Sequence, residues 1–280
     1  MASWTYVDGN WQAGNPPLIG PMSHAMWQGS VVFDGARAFG GMAPDLDLHC
    51  ERVVQSAKLL GLGPMLSPGE IEDIARDGIG RFAAGAELYI RPMFWAEAGS
   101  VAADPGSTRF ALAVHDAPLP PPSGFSANLS RYRCPGPECA PTAAKAACLH
   151  PNYGRAEAEA RRLGFDNAVM LDPLGHVSEF TTANLFMVKD GVVQTPVPNG
   201  CFLNGITRQR VIKLLRHAGA ELVECSLDIA DLRAADEIFA TSSLAKLQPL
   251  SRLEERWLEP GPVFRRAREL YWEFAEAGRV

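Results

Sequence analysis

Residues 141–153 read PTAAKAACLHPNY and place one lysine, Lys145, in a run of small residues. A charged amine loses favourable hydration in such surroundings, so the position is unusual for a lysine. Two interpretations of this stretch remain open: a solvated turn that is rich in alanine, or a lysine held in a tight pocket because its amine reacts. A desolvated lysine has a lowered pKa and can form a Schiff base with an aldehyde.

The composition is typical of a soluble globular protein. The 280 residues carry a formal net charge of −6 and include 47% hydrophobic residues, which argues against nucleic acid or an anionic membrane as the natural partner. The N-terminus has no secretory leader pattern and no apolar run approaches membrane-spanning length, so we expect a cytoplasmic protein. The cysteines and histidines lack the spacing of metal ligands, and no metal is expected.

The first 116 residues predict a smaller α+β domain. Residues 51–60 place apolar side chains on one helical face, which predicts a helix there. A second helix is expected to begin at Ser67, which forms a capping box with Glu70. Two runs rich in β-branched and aromatic residues, 87–95 and 109–117, predict strands.

A proline cluster, APLPPPSG, separates this part from the rest. Prolines of this density fit neither a helix interior nor a central strand, so they favour a linker. Beyond it, two strand–turn–strand patterns precede a helix that is expected to use Thr207 as its cap and to stop at Gly219. The expected organisation is a small domain at 1–116, a linker at 117–124 and a larger domain at 125–280.

Common nucleotide and hydrolase signatures are missing, but parts of a phosphate site are present. There is no complete dinucleotide fingerprint, Walker motif or nucleophile elbow. An arginine such as Arg52 and the free N–H groups at a helix start, as in the GIT run at 205–207, suit a phosphate. Singly, Arg52 could face solvent, Glu179 could be an exposed cross-strand partner, and the GIT run could be only a helix cap. Together with a reactive lysine, these parts suit a phosphorylated aldehyde cofactor.

Seven stretches, in this order along the chain, carry a resemblance to a known family. They are GSVVFDGARAF (29–39), HCERVVQSAK (49–58), YIRP (89–92), PTAAKAA (141–147), GHVSEFTTANLFMVKDG (175–191), FLNGITRQRVI (202–212) and TSS (241–243). The chain resembles the class IV aminotransferases, the fold-type IV enzymes that use pyridoxal 5'-phosphate, and in particular the branched-chain amino-acid aminotransferases. The resemblance implies a mixed α/β, two-domain fold similar to D-amino-acid aminotransferase.

The resemblance also implies roles for individual residues. Lys145 matches the lysine that forms the internal aldimine with the cofactor and later shuttles a proton. Glu179 matches the acid that pairs with the pyridine nitrogen and keeps it protonated, which lets the ring accept electron density. The remaining residues form two sets: for the cofactor, Arg52, His150, Ile206, Thr207, Ser242 and Ser243; for the substrate, Phe33, Arg37, Tyr89, Arg91, Ser243 and Leu244.

The sequence departs from the family pattern after the lysine. Five residues beyond Lys145 the family usually has a tyrosine that hydrogen-bonds the phenolic oxygen of the cofactor, and here the residue is His150. An imidazole can donate to the same oxygen. Tyr153 would take this place only if the chain were locally shifted by three residues, so both residues remain candidates.

The substrate is the least determined part. The resemblance implies transfer of an amino group between a hydrophobic, branched-chain-like amino acid and 2-oxoglutarate, that is, an amino donor and a keto-acid acceptor. The loop after Trp95 and the pair Ser243-Leu244 differ from the branched-chain pattern. A transaminase for (R)-amines or D-amino acids, a lyase like aminodeoxychorismate lyase, and a cofactor-binding protein without activity therefore stay open. Family active sites usually take a loop from a neighbouring subunit, so a homodimer or larger homo-oligomer is expected.

Overall fold

The computed structural model describes residues 2–278, which form two compact units. The first unit contains the described residues up to Leu119, the segment Ala143–Cys148 and the described residues from Ala275 onward; the second contains Pro120–Thr142 and Leu149–Phe274. Lys145 therefore groups with the first unit by its contacts, although it follows the linker in sequence. The domain boundaries inferred from the sequence stay a prediction, because a compact unit is defined by contacts and not by independent folding.

Within the described residues, seven α-helices and fifteen strands are present. The helices are α1 (His24–Gln28), α2 (Leu46–Leu59), α3 (Pro68–Ile79), α4 (His150–Arg162), α5 (Ile206–His217), α6 (Ile229–Ala234) and α7 (Pro262–Ala277). The strands are β1 (Ser3–Val7), β2 (Asn10–Ala13), β3 (Val31–Phe33), β4 (Ala36–Ala38), β5 (Leu88–Ala96), β6 (Thr108–Asp116), β7 (Phe125–Arg133), β8 (Asn167–Leu171), β9 (Val177–Phe180), β10 (Asn184–Lys189), β11 (Val192–Pro196), β12 (Leu222–Cys225), β13 (Glu237–Ser242), β14 (Lys246–Leu253) and β15 (Arg256–Trp257).

The sheet of the first unit is antiparallel, in the order β2-β1-β6-β5-β3, with β4 also paired to β5. Its central strands β5 and β6 confirm the two strands predicted from their apolar runs. On β5, Ile90 and Phe94 are fully buried. Because side chains alternate along a strand, Tyr89 and Arg91 project from the opposite face. At these positions the alternation separates buried apolar side chains from polar ones.

The two longer helices of this unit show how far local patterns determine helix ends. At α3, Ser67 caps the helix and forms the predicted capping box with Glu70. α2, however, begins at Leu46 and not at residue 51, so the predicted start is wrong by five residues. Leu46 and Cys50 are buried in the same stripe as Val53, which extends the apolar face backward by more than one turn.

The sheet of the second unit is mixed and is covered on both faces. Its order is β12-β11-β10-β13-β14-β7-β8-β9, with parallel pairing of β7 to both β8 and β14. On β10, Leu185 and Met187 pack into one buried cluster, whereas Phe186 and Val188 pack into another that includes residues of α5 and α7. Two-sided burial explains why this strand reads as a continuous apolar run.

The elements around α5 confirm one prediction and correct another. The β10–β11 connection is the predicted Asp190-Gly191 turn, and both residues have positive φ, 50° and 80°, as a tight hairpin turn requires. The cap of α5 is Gly205, so the assignment of the cap to Thr207 is wrong by two residues. A Cβ atom on Gly205 would collide with the side-chain oxygen of Asn184, which explains a glycine where a side-chain cap is usual.

None of the described helices is long and apolar enough to cross a membrane. Over the same residues, no group of three or more histidine, cysteine, aspartate and glutamate side chains is arranged to hold a metal ion.

Candidate active site

The predicted site residues fall into two groups, one in each compact unit. The first group is Phe33, Arg37, Arg52, Tyr89, Arg91 and Lys145, and the second is His150, Glu179, Ile206, Thr207, Ser242, Ser243 and Leu244.

Backbone hydrogen bonds on both sides fix the segment that carries Lys145. The Lys145 N–H donates to the hydroxyl of Ser56 on α2 at 3.0 Å, and the Lys145 carbonyl accepts from the N–H of Phe33 at 3.1 Å. Ala144 and Ala146 are buried, so larger side chains would not fit there. The Lys145 side chain is half-buried, and its Nζ lies 5.0 Å from the centroid of the Phe33 ring. The lysine is thus held beside an aromatic face by a fixed backbone.

Arg52 is held by Asp34, an acid that was not predicted from the sequence as a site residue. The carboxylate of Asp34 accepts hydrogen bonds from Arg52 Nε at 2.7 Å and Nη2 at 2.8 Å, and from His49 Nδ1 at 2.7 Å. Burial alone raises the pKa of Asp34, but the neighbouring Arg52 and His49 outweigh burial and hold this pKa far below its usual range. Asp34 is therefore ionised at neutral pH.

One nitrogen of Arg52 is left over. Its Nη1 is shielded from solvent and has no hydrogen-bond partner among the described residues. A shielded guanidinium donor without a hydrogen-bond partner costs free energy. An anionic ligand that accepts a hydrogen bond from this nitrogen would offset that cost. An unpartnered nitrogen of this kind is what a bound phosphate would satisfy.

The substrate residues of the first unit form a cluster on β3, β4 and β5. Arg37 and Tyr89 are directly paired across these strands, and the Arg91 guanidinium lies 5.2 Å from the Tyr89 ring centroid and 5.9 Å from that of Phe33. A Cβ atom on Gly35 would collide with the Tyr89 hydroxyl, so glycine makes room for that ring. The cluster combines two cations, a phenol and an apolar ring, which suits a substrate with a carboxylate and an apolar side chain.

Arg37 is fully buried. Its Nη2 donates to the carbonyl of Ala117, whereas its Nε and Nη1 have no partner among the described residues. Burial lowers the pKa of Arg37, and the charges of Glu87 and Tyr89 oppose this shift. Two unsatisfied donors on one cation again point to an anionic group as partner.

In the second unit, Asn184 connects Glu179 with the start of α5. Glu179 lies on β9, is 7% exposed and accepts a hydrogen bond from Asn184 Nδ2 at 3.4 Å. The same nitrogen donates to the carbonyl of Leu203 at 2.9 Å, and Asn184 Oδ1 accepts from the N–H of Gly205 at 3.1 Å. Asn184 was not predicted from the sequence. The feature that could have indicated it is a polar amide side chain at the first position of the mostly apolar strand β10.

The first residues of α5 and the end of β13 supply further groups. Ile206 and Thr207 are the first two residues of α5, where backbone N–H groups have no partner within the helix and attract anions. Ser242 ends β13 and accepts a hydrogen bond from the N–H of Ala245 at 3.2 Å. Ser243 is half-buried and Leu244 is exposed.

His150 and Tyr153 occupy the first turn of α4, and their rings are 6.0 Å apart between centroids. His150 is exposed and Tyr153 is half-buried. Burial first, and then the charge of Glu179 and a hydrogen bond to it, raise the pKa of Tyr153 above its ordinary value. The Tyr153 hydroxyl therefore stays protonated and donates to Glu179. Which of the two residues contacts the phenolic oxygen of a cofactor stays a prediction.

Comparison with known proteins identifies the family. A family model described as amino-transferase class IV matches residues 31–253. An aminotransferase from Brucella abortus, whose crystal structure is bound to the cofactor PLP, is 51% identical with a TM-score of 0.97, covering 99% of this chain and 100% of that chain. The branched-chain amino acid aminotransferase of Escherichia coli is 29% identical with a TM-score of 0.92, covering 98% and 95%. The probable branched-chain-amino-acid aminotransferase of Rickettsia bellii is 32% identical over 238 residues, 83% of this chain and 81% of that relative.

The chain belongs to the class IV aminotransferases. Among the members of that family it is branched-chain aminotransferase-like, as the Escherichia coli and Rickettsia bellii proteins indicate. The resemblance stated from the sequence motifs is confirmed, and so are the expected fold class and enzyme class.

Proposed function

We propose that this chain transfers an amino group between a hydrophobic, branched-chain-like amino acid and 2-oxoglutarate, with the Lys145 amine bonded to the aldehyde of pyridoxal 5'-phosphate in the resting enzyme. The single observation that carries the proposal is the backbone-fixed, half-buried Lys145 in a class IV aminotransferase sequence. The Brucella abortus neighbour with bound PLP supports the cofactor.

The residues present fit this cofactor. A phosphate is bound by positive charge and by N–H donors; the first unit has the unpartnered Nη1 of Arg52, and the second unit, taken by itself, has the first N–H groups of α5 at Ile206 and Thr207. A pyridine nitrogen that must stay protonated needs a buried anion, and Glu179 is a buried acid held by Asn184. When bound, the cofactor supplies an electron-accepting ring.

The chain's own residues then bind, orient and move protons. Lys145 offers an amine that can take a proton from one atom and return it to a neighbouring one, as a general base and acid. Phe33 gives that amine an aromatic face at 5.0 Å. The two donors of Arg37 without a partner, together with Arg91, suit the carboxylates of an amino acid and a dicarboxylic keto acid. Arg37, Arg91 and Tyr89 therefore orient the substrate.

A half-reaction screen tests the proposed substrate class. The holoenzyme is mixed separately with L-leucine, L-glutamate, D-alanine and (R)-1-phenylethylamine, and the loss of visible cofactor absorbance is followed. We expect L-leucine and L-glutamate to react. Reaction with only D-alanine and (R)-1-phenylethylamine would replace the proposal by the alternative transaminase. Catalytic release of pyruvate from aminodeoxychorismate without any amino acceptor would instead identify a lyase, the alternative suggested by the Ser243-Leu244 pair.

We also propose a homodimer as the minimum assembly. Four large apolar side chains on and beside α1 and in the loop after β5 are exposed: Met22 by 86%, Met26 by 66%, Trp27 by 59% and Val101 by 85%. Apolar exposure of this kind often marks a surface that another subunit covers. Light scattering after gel filtration should give a dimer or larger, and Trp27→Glu should shift the protein toward the monomer. A wild-type monomer at micromolar concentration would contradict this assembly. The cytoplasmic location stays a prediction.

A further inference from the structure

The carboxylate of Asp34 grips Arg52 along one edge. Asp34 Oδ2 accepts from Nε and Oδ1 accepts from Nη2, at 2.7 and 2.8 Å, so two parallel hydrogen bonds join the planar groups. Paired bonds of this kind fix the orientation of the guanidinium plane as well as its position. Asp34 is 0% exposed, whereas the side chain of Arg52 is 17% exposed. The fully buried Asp34 therefore holds Arg52 from the interior of the unit.

Two further hydrogen bonds fix Asp34 itself. Its Oδ1 accepts from His49 Nδ1 and from the N–H of Gly35, both at 2.7 Å. His49 lies on α2 three residues before Arg52, so it is a neighbour of Arg52 on the same helix face. The acid is thus locked against α2 by two side chains from that helix and by the backbone of its own loop. We call Asp34, His49 and Arg52 the arginine clamp.

The clamp leaves one donor in a defined place. Because Nε and Nη2 are used by Asp34, the remaining Nη1 is the nitrogen free for a ligand, and it has no partner among the described residues. A buried ion pair alone contributes little net stability once desolvation is included. The shielded Nη1 donor has lost its hydration without gaining a hydrogen bond, which costs free energy. A ligand that accepts a hydrogen bond from Nη1 would offset this cost.

We propose that Asp34 and His49 are positioning residues, which hold Arg52 so that its Nη1 binds the phosphate of a phosphate-monoester ligand. The proposal rests on the proposed function, in which that monoester is the cofactor. Asp34 and His49 act through Arg52 and need not touch the ligand. Their removal is expected to weaken recognition of the phosphate group while leaving recognition of the rest of the ligand in place.

The experiment compares ligands with and without the phosphate. Apoenzyme is prepared from the holoenzyme of the wild type, Asp34→Asn and, as a matched control, Asp47→Asn, which changes an exposed acid on α2, the helix that carries His49 and Arg52. Dissociation constants are measured for pyridoxal 5'-phosphate and for pyridoxal, and the melting temperature is followed as inorganic phosphate is added. Asp34→Asn should weaken pyridoxal 5'-phosphate by about tenfold or more, leave pyridoxal within about twofold, and abolish the stabilisation by phosphate. Asp47→Asn should behave as the wild type.

A merely structural role would give a different result. If Asp34→Asn weakened both ligands by the same factor, or weakened neither, the proposal would be wrong. Should Asp34→Asn fail to fold, His49→Gln is used instead, because it removes one hydrogen bond to Asp34 and keeps the ion pair of Asp34 with Arg52. In His49→Gln the affinity for pyridoxal 5'-phosphate relative to that for pyridoxal must then fall, by a smaller factor. A wild type that binds neither pyridoxal 5'-phosphate nor pyridoxal would overturn the proposed function itself. If the wild type binds pyridoxal 5'-phosphate and the variants bind it equally well, only the positioning role of Asp34 and His49 is overturned.

Discussion

The side-chain oxygen of Asn184 accepts a hydrogen bond from the backbone N–H of Gly205 at 3.1 Å. Gly205 is the cap of α5, and the amide nitrogen of Asn184 also reaches Glu179 on β9. One buried amide therefore fixes both the start of a helix that suits a phosphate and the acid that suits a ring nitrogen. Two features of the candidate site in the second unit depend on this single residue.

Gly205→Ala tests this contact. The added Cβ atom collides with Asn184 Oδ1, so the hydrogen bond must break or the start of α5 must move. We expect a loss of about 1 to 3 kcal/mol in the free energy of unfolding and weaker binding of pyridoxal 5'-phosphate. Urea unfolding of the apoenzyme and a cofactor titration measure the two effects. Gly154→Ala is the control, since nothing lies within 4 Å of its Cβ position; equal losses for both variants would contradict the account.

The Asp34 carboxylate should contribute to stability in a pH-dependent way. Its pKa is held far below the ordinary value by Arg52 and His49 in spite of burial. A depressed carboxyl pKa stabilises the fold above the unfolded value, about 4, and this contribution disappears as the pH falls further. Asp34→Asn should cost about 3 to 5 kcal/mol at pH 7.

Urea unfolding of the wild type and Asp34→Asn from pH 7 down to pH 3 checks the sign. The difference between the two should narrow as the pH falls below about 4. A difference that grows below about pH 4 would show that Asp34 is not an ionised partner of Arg52. Asp47→Asn, exposed on α2, should differ little from the wild type over the whole range.

Tyr153→Phe separates the two candidates in the first turn of α4. Because the Tyr153 hydroxyl donates to Glu179, its removal leaves a buried acceptor with one donor fewer and should cost about 1 to 3 kcal/mol in apoenzyme stability. We expect the pH dependence of the visible cofactor absorbance to change in His150→Phe and to stay as in the wild type in Tyr153→Phe. The reverse pattern would assign the phenolic oxygen to Tyr153.

Arg91→Met tests the polar cluster of the first unit. Arg91 is exposed beside the rings of Phe33 and Tyr89, where a second carboxylate of the substrate would gain a charge-assisted hydrogen bond. The KM for 2-oxoglutarate should rise about tenfold, while the L-leucine half-reaction changes less. Arg109→Met, whose guanidinium pairs with Asp8 on the surface, is the control. Equal effects of Arg91→Met on both substrates would remove its assignment.

Structural features that depend only on residues close together in the chain could be predicted from the sequence. The capping box of Ser67 and Glu70 and the Asp190-Gly191 turn were predictable because each is complete within a few residues. The ends of α2 and α5 were not, since burial of Leu46 and the contact of Gly205 with Asn184 come from tertiary packing. A threonine in a first turn also resembles a cap, which explains the misplaced start at Thr207.

The same distinction between local signals and tertiary packing applies to the residues of the candidate site. Residues whose types carry chemistry, such as Lys145 and Glu179, could be named from the sequence through the family resemblance. Asp34 and Asn184 could not, because their partners lie 18 and 21 residues away and no short motif shows that an acid or an amide is buried. Supporting residues of this kind become visible only when hydrogen-bond partners are assigned.

The central claim is that the Lys145 amine is covalently joined to the cofactor, and one measurement addresses it directly. The holoenzyme is reduced with borohydride, which makes the bond between amine and aldehyde permanent, then digested and analysed by mass spectrometry. The account predicts the phosphopyridoxyl mass on the peptide that contains Lys145 and no label in Lys145→Ala. A label on another lysine, such as the buried Lys246, or an unlabelled wild-type protein would contradict it.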